Sequence, residues 1–148
     1  MAFRFAFASV LRLRQALERQ RALALQRASL DLARAHEARA ALEHFLDESE
    51  RADAKSLAGG RMGAELHFAL LQQQQLREQW TRLQEHILKL EALRQQAAEA
   101  YRRALRERDV LEALSAREHR TYQIEQARRQ QSEMDAAFLL QHWHRRSG

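Results

Sequence analysis

Between residues 25 and 46 the apolar positions step alternately by three and four, through Leu25, Ala28, Leu32, Ala35, Leu42 and Leu46, with Arg39 as the one polar exception. Such steps average 3.5 residues and keep a single stripe of a helix turned toward a partner helix. A second stripe runs through Leu76, Trp80, Leu83, Ile87 and Leu90. It continues in phase through Ala97, Tyr101, Ala104 and Leu111, interrupted at Arg94 and Arg108. The pattern predicts two helices that pair along a thin seam. Strands are excluded, because the six β-branched residues (Val10, Thr81, Ile87, Val110, Thr121 and Ile124) are too few and too scattered to build a buried one.

The seams are separated by three of the four glycines, Gly59, Gly60 and Gly63. Glycine enters the left-handed conformation that ends a helix, so this cluster predicts a reversal of the chain. The expected fold is all-α, a long antiparallel two-helix coiled-coil hairpin spanning 1–148 as one domain, with an overhanging C-terminal helix. Helix 1 is placed at about 9–57 with Ser9 as its N-cap, the turn at 58–63, and helix 2 at about 64–146. With the turn centred near Arg61, facing residues have numbers summing to about 122, which sets Leu42 against Trp80, Leu32 against Leu90 and Leu11 against Leu111. At about 1.5 Å rise per residue the arms measure roughly 75 and 125 Å, leaving about the last 30 residues without an internal partner.

Composition narrows the function classes. The chain has no Pro, 27 Ala, 23 Leu and 16 Gln, which suits long helices and a thin core. It has no Cys either, which removes disulfides, thiolate metal sites and thiol nucleophiles. The apolar N-terminal stretch is broken by Arg4, Arg12 and Arg14, and no run approaches a spanning helix, so a cytosolic protein is expected. Charge is unevenly spread: residues 1–34 carry seven Arg against Glu18 and Asp31, residues 35–57 three basic against six acidic groups, and residues 101–146 ten Arg against seven acids. A basic terminal end and an acidic turn end follow.

An enzyme is not expected, since two paired helices offer no concave wall to desolvate a nucleophile. The seven His residues include no i,i+4 pair for a metal, so no metal or other cofactor is expected. Gly59-Gly60 lacks the Lys-Ser/Thr ending of a phosphate loop. The run Gln72 to Gln75 reads as solvated helix surface. Acids such as Glu107, Asp109, Glu112, Glu118 and Glu125 interleave with the C-terminal Arg residues. That pattern predicts intrahelical ion pairs and argues against nucleic acid. Apolar side chains are left over at two places. Near the turn, Phe45, Leu46, Leu66, Phe68, Leu70 and Leu71 either cap the seam or face outward; on the tail stand Ile124, Met134, Phe138, Leu139, Leu140 and Trp143.

The opening Met1-Ala2-Phe3-Arg4-Phe5, followed by Ser9-Val10-Leu11-Arg12-Leu13-Arg14, resembles the start of the flagellar export protein FliJ family. So does the end, Arg128-Arg129-Gln130-Gln131-Ser132-Glu133-Met134-Asp135 before Ala136-Ala137-Phe138 and a basic finish, with Ala136 where that family commonly has an acid. The resemblance implies a non-enzymatic, cytoplasmic component of the flagellar type III export apparatus, peripherally associated with the inner membrane at the flagellar base. It implies a coiled coil like the central stalk of rotary ATPases, with the hexameric export ATPase and its regulator, the cytoplasmic domain of the export gate, and export chaperones as partners. On this reading Leu42, Phe45, Leu46, Leu66, Phe68 and Leu71 form the gate-binding turn end. Arg12, Arg14, Arg128 and Arg129 steer the terminal end into the ATPase, with Val10, Leu11, Leu13, Met134, Phe138 and Leu139 as its apolar contacts. The equivalent stalk of a virulence-type secretion system and a generic coiled-coil scaffold are the alternatives.

Overall fold

The computed structural model describes residues 2–60 and 62–148. Two helices make up the chain: α1, Ala8–Ala58, of 51 residues, and α2, Gly63–Ser147, of 85. Their expected spans were 9–57 and 64–146. Among the described residues there is no strand, in agreement with the all-α expectation. Met1 of the opening motif and Arg61, the expected centre of the turn, lie outside the described residues.

Each helix end follows from local chemistry. Ala8 N–H donates to the Phe5 carbonyl at 3.1 Å and Leu11 N–H to the Phe7 carbonyl at 2.8 Å, so the first helical bond closes on Phe7. Ser9 therefore sits inside the first turn and is not the N-cap. At the other end of α1, Gly59 N–H donates to the carbonyls of Lys55 and Ser56 and Gly60 N–H to that of Leu57. Gly60 has φ of +83°, the left-handed value that terminates a helix. Gly63, expected within the turn, is already the first residue of α2, where an added Cβ would meet no atom within 4 Å.

The two glycines should respond oppositely to substitution. Gly60→Ala is expected to cost about 1–2 kcal/mol, the penalty of a Cβ in the left-handed region. Gly63→Ala should be neutral or stabilising by up to about 1 kcal/mol, because it restricts the unfolded chain and suits a helix. Thermal unfolding of the two variants checks the assignment; equal losses would contradict it.

The chain forms two compact units, Arg19–Arg102 and Met1–Glu18 with Arg103–Gly148. The first unit holds the turn and is an antiparallel hairpin. Leu32, Ala35 and Ile87 form its buried cluster, with Leu83 and Leu90 packed against it, so the expected Leu32–Leu90 level is realised. Ile87 is 1% exposed, and among the described residues of this unit Ala69 is buried as well. The seam is thin because Ala at Ala35 and Ala69 lets the helix axes approach without filling much volume.

Polar groups flank the same seam. Arg39, the polar exception in the stripe, is half-buried and donates through Nη1 to Gln84 Oε1 at 2.8 Å, which gives its guanidinium a partner across the seam beside Glu43 of its own helix at 3.8 Å. Trp80 stands at the level expected for Leu42 and donates its indole N–H to Glu43 at 3.0 Å. Gln73 donates to Asp53 at 2.7 Å and Arg77 pairs with Glu50 at 3.1 Å. The Arg39–Gln84 and Glu43–Trp80 pairs stand within one residue of the register expected from the sequence, whereas Gln73 and Arg77 reach partners four and five residues away from it along α1. Arg94 is exposed, and the seam resumes with half-buried Ala97 and Ala98.

Candidate partner-binding surfaces

In the terminal unit, the start of α1 lies against α2. Ala104 is 4% exposed, the only buried side chain among the described residues of this unit. Charged groups fill the neighbouring levels. Arg14 Nη1 meets Glu107 Oε2 at 2.6 Å, a charge-assisted bond that ties the first turns of α1 to α2. Arg108, on the α2 stripe itself, reaches Glu18 Oε2 at 3.5 Å across the seam, Asp109 Oδ1 at 2.9 Å and Glu112 Oε1 at 3.6 Å. The hydrogen bond to Asp109 first, then the nearby carboxylates of Glu112 and Glu18, raise the Arg108 pKa against the opposing effect of desolvation. Its Nε is buried without a hydrogen-bond partner among the described residues, Glu112 lying just beyond bonding distance.

Ahead of α1, residues 2–5 are not helical and Phe3 packs on α2, with its ring centroid 4.7 Å from that of His119 and 5.4 Å from that of Tyr122. Past this contact α2 packs against no other element among the described residues: every residue from 127 to 148 is exposed. Met134 and Phe138 are 67% exposed, Leu139 64%, Leu140 61% and Trp143 67%.

The terminal residues singled out from the sequence thus divide. Arg12, Arg128 and Arg129 are exposed, as are Val10, Leu13, Met134, Phe138 and Leu139. Leu11 is half-buried toward the seam, and Arg14 is engaged by Glu107. An exposed arginine can steer a partner, whereas one held at 2.6 Å by a carboxylate has its charge locally offset. The intrahelical ion pairs expected along this stretch of α2 form at Arg108, with Asp109 and Glu112, while Glu107 is drawn across the seam instead.

At the turn end, Phe45, Phe68 and Leu71 are exposed and Leu42, Leu46 and Leu66 half-buried. The leftover apolar groups therefore both cap the seam and face outward. Leu57 and Met62, the latter 75% exposed, join the outward set although the seam pattern did not include them. Their signal in the sequence was their position flanking the glycines, where the stripe rule no longer applies. Phe3 escaped for a similar reason, since residues outside the helical period cannot be phased by it.

No helix among the described residues is long and apolar enough to cross a membrane. No curated protein and no solved structure matches the chain. A family model described as Flagellar FliJ protein does, over residues 3–147. That span takes in the N-terminal Phe3 contact, both helices, the glycine turn and the unpartnered tail, and its two ends are where the sequence motifs stand. A match over almost all of 148 residues, on a fold of two long paired helices, shows that the chain belongs to the flagellar FliJ protein family.

Proposed function

We propose that this protein is a non-enzymatic, central-stalk-like component of the flagellar type III export apparatus. Its terminal end docks in the hexameric export ATPase, and its turn end binds the cytoplasmic domain of the export gate and export chaperones. The protein works in the cytoplasm, at the inner-membrane base of the flagellum, also meeting the regulator of the ATPase. The family match supports the export setting.

One observation carries the docking role. At 100° per residue, Met134, Ala137 and Phe138 fall on one side of the tail helix, and Leu139, Leu140 and Trp143 fall on the other. All the large ones are exposed. A helix that shows large apolar groups on opposite sides, here separated by polar residues such as Asp135 and His142, has both covered only when it is surrounded, and one flat partner covers one side. The central hole of a ring surrounds a helix. Titrating the full chain into purified export ATPase, with binding and ATP hydrolysis as readouts, tests this reading; no binding and no change in hydrolysis would overturn it in favour of a scaffold.

The turn end has its own test. Phe45→Ala combined with Phe68→Ala is expected to weaken binding to the isolated cytoplasmic domain of the gate by about tenfold or more, as for truncated aromatic anchors. ATPase binding should be unchanged, because the two residue sets have no member in common and belong to different compact units. Parallel loss at both partners with helicity intact would show that the ends are not separate sites.

A further inference from the structure

The outward face of α2 in the terminal unit carries a second stripe with the spacing of a seam. Arg103 and Arg106, then Val110 and Ala113, then Arg117 and Arg120, then Ile124 and Ala127 follow one another by steps of three and four without a break. All eight are exposed, Val110 at 67% and Ile124 at 54%. The stripe lies almost opposite the one that meets α1, whose members Ala104, Arg108, Leu111, Ser115, Glu118 and Tyr122 are buried or half-buried. Two β-branched residues with no internal partner on a regular stripe are not explained by solubility.

The four arginines of the stripe make no ion pair among the described residues. Of the three acids within reach of the first pair, Glu107 is taken by Arg14 and Asp109 by Arg108, and Glu99, one turn before Arg103, forms no ion pair with it. The second pair has only alanines, Ala113 and Ala116, one helical turn before it, and Thr121 and Ile124 one turn after. The stripe is therefore a row of alternating cationic and apolar levels with no anion on it.

We infer that this face binds an acidic amphipathic α-helix of another protein, in coiled-coil fashion, with carboxylates over the two arginine levels and apolar side chains over the levels of Val110 and Ile124. The same helix already shows how it does so: on its inner face an arginine level at Arg108, set between Ala104 and Leu111, is met by Glu18 of the facing helix. Ala113 and Ala127 beside branched neighbours leave holes for the partner's knobs. An anionic bilayer fits less well, since a helix that lies in a membrane surface carries bulky wedges such as Trp, Phe or Leu among its cations, and this stripe has none between 103 and 127. Nucleic acid would leave Val110 and Ile124 without a contact. A second copy of the stripe would bring no acids to the arginines.

The probe is a synthetic four-heptad helical peptide with leucine levels alternating with glutamate levels, titrated into the full chain. The expected result is binding that falls by about tenfold or more in Arg117→Glu with Arg120→Glu, where two attractive levels become repulsive. Arg27→Glu with Arg34→Glu, the same charge change off the stripe, should leave it near the wild-type value. Ala113→Phe, which fills a hole without altering charge, should also weaken it, and circular dichroism confirms that each variant is folded. Equal binding of a peptide with lysine in place of glutamate would overturn the inference, as would no binding of the glutamate peptide. So would binding to phosphatidylglycerol vesicles or a short DNA duplex that the 117/120 reversal abolishes while the peptide does not bind. ATPase docking is not read in this assay, so failure here leaves that proposal standing.

Discussion

Deleting residues 130 to 148 is expected to abolish binding to the export ATPase, and with it any effect on hydrolysis, while the seam stays folded. The removed segment is exposed throughout and packs against no other element among the described residues, so its loss uncovers none of their apolar surface. It carries Met134, Phe138, Leu139, Leu140 and Trp143, each worth about 1.5–3 kcal/mol when fully buried in a partner. Even if a fraction of that appears as affinity, after the entropy of ordering side chains is subtracted, the loss amounts to about a hundredfold or more. Dissociation should accelerate, since apolar anchors govern the off-rate, whereas reversing Arg12, Arg128 and Arg129 should chiefly slow association and flatten its salt dependence. Circular dichroism should fall only by the share of the deleted helix. Normal ATPase binding by the truncated chain would move the docking element to the start of α1, where Val10 and Leu13 are exposed.

Ile87→Ala is expected to be the most damaging single substitution for folding, at about 2–5 kcal/mol. Ile87 is 1% exposed, the most deeply buried large side chain, and it contacts the Leu32 and Ala35 level of α1. In a two-helix seam no third element can move in to close the cavity, and a domain of ordinary stability has about 5–15 kcal/mol in total. Leu88, the next residue, is 57% exposed, so Leu88→Ala should change stability by about 0.5 kcal/mol or less. The pair of measurements, by urea unfolding, is a test of phase. A larger loss at Leu88 than at Ile87 would rotate α2 by one residue and with it every assigned level.

Much of this arrangement was legible in the chain before any coordinates. The 3-4 steps from Leu25 to Leu46 and from Leu76 to Leu90 place their residues on the buried side because the period of the pattern is the period of the structure. The glycine cluster located the reversal, but the number of glycines exceeded the number of left-handed residues, so Gly63 was set in the turn when only Gly60 needs its freedom. What spacing could not reveal was the destination of long charged side chains. Glu107 lies near several arginines along its own helix, yet it bonds Arg14 across the seam, because a guanidinium on a flexible stem reaches as far as a neighbouring helix. The outward stripe on α2 is hidden for a related reason: the interleaved acids suggest partners for its arginines, but Glu107 bonds Arg14 and Asp109 and Glu112 turn to Arg108.

The meeting of Glu18 and Arg108 also bears on slippage. A seam built from repeating levels is nearly degenerate: one helix can slide by a heptad past the other and still set apolar residues against apolar residues. Sliding α1 by seven residues in either direction would replace Glu18 with Leu11 or with Leu25 opposite Arg108. Either shift sets leucine against the guanidinium and removes the one carboxylate that α1 offers it, leaving only Asp109 and Glu112 of its own helix. The ion pair thus contributes little as an adhesive and more as an index mark: at this level it tells the two helices which of several similar alignments is theirs.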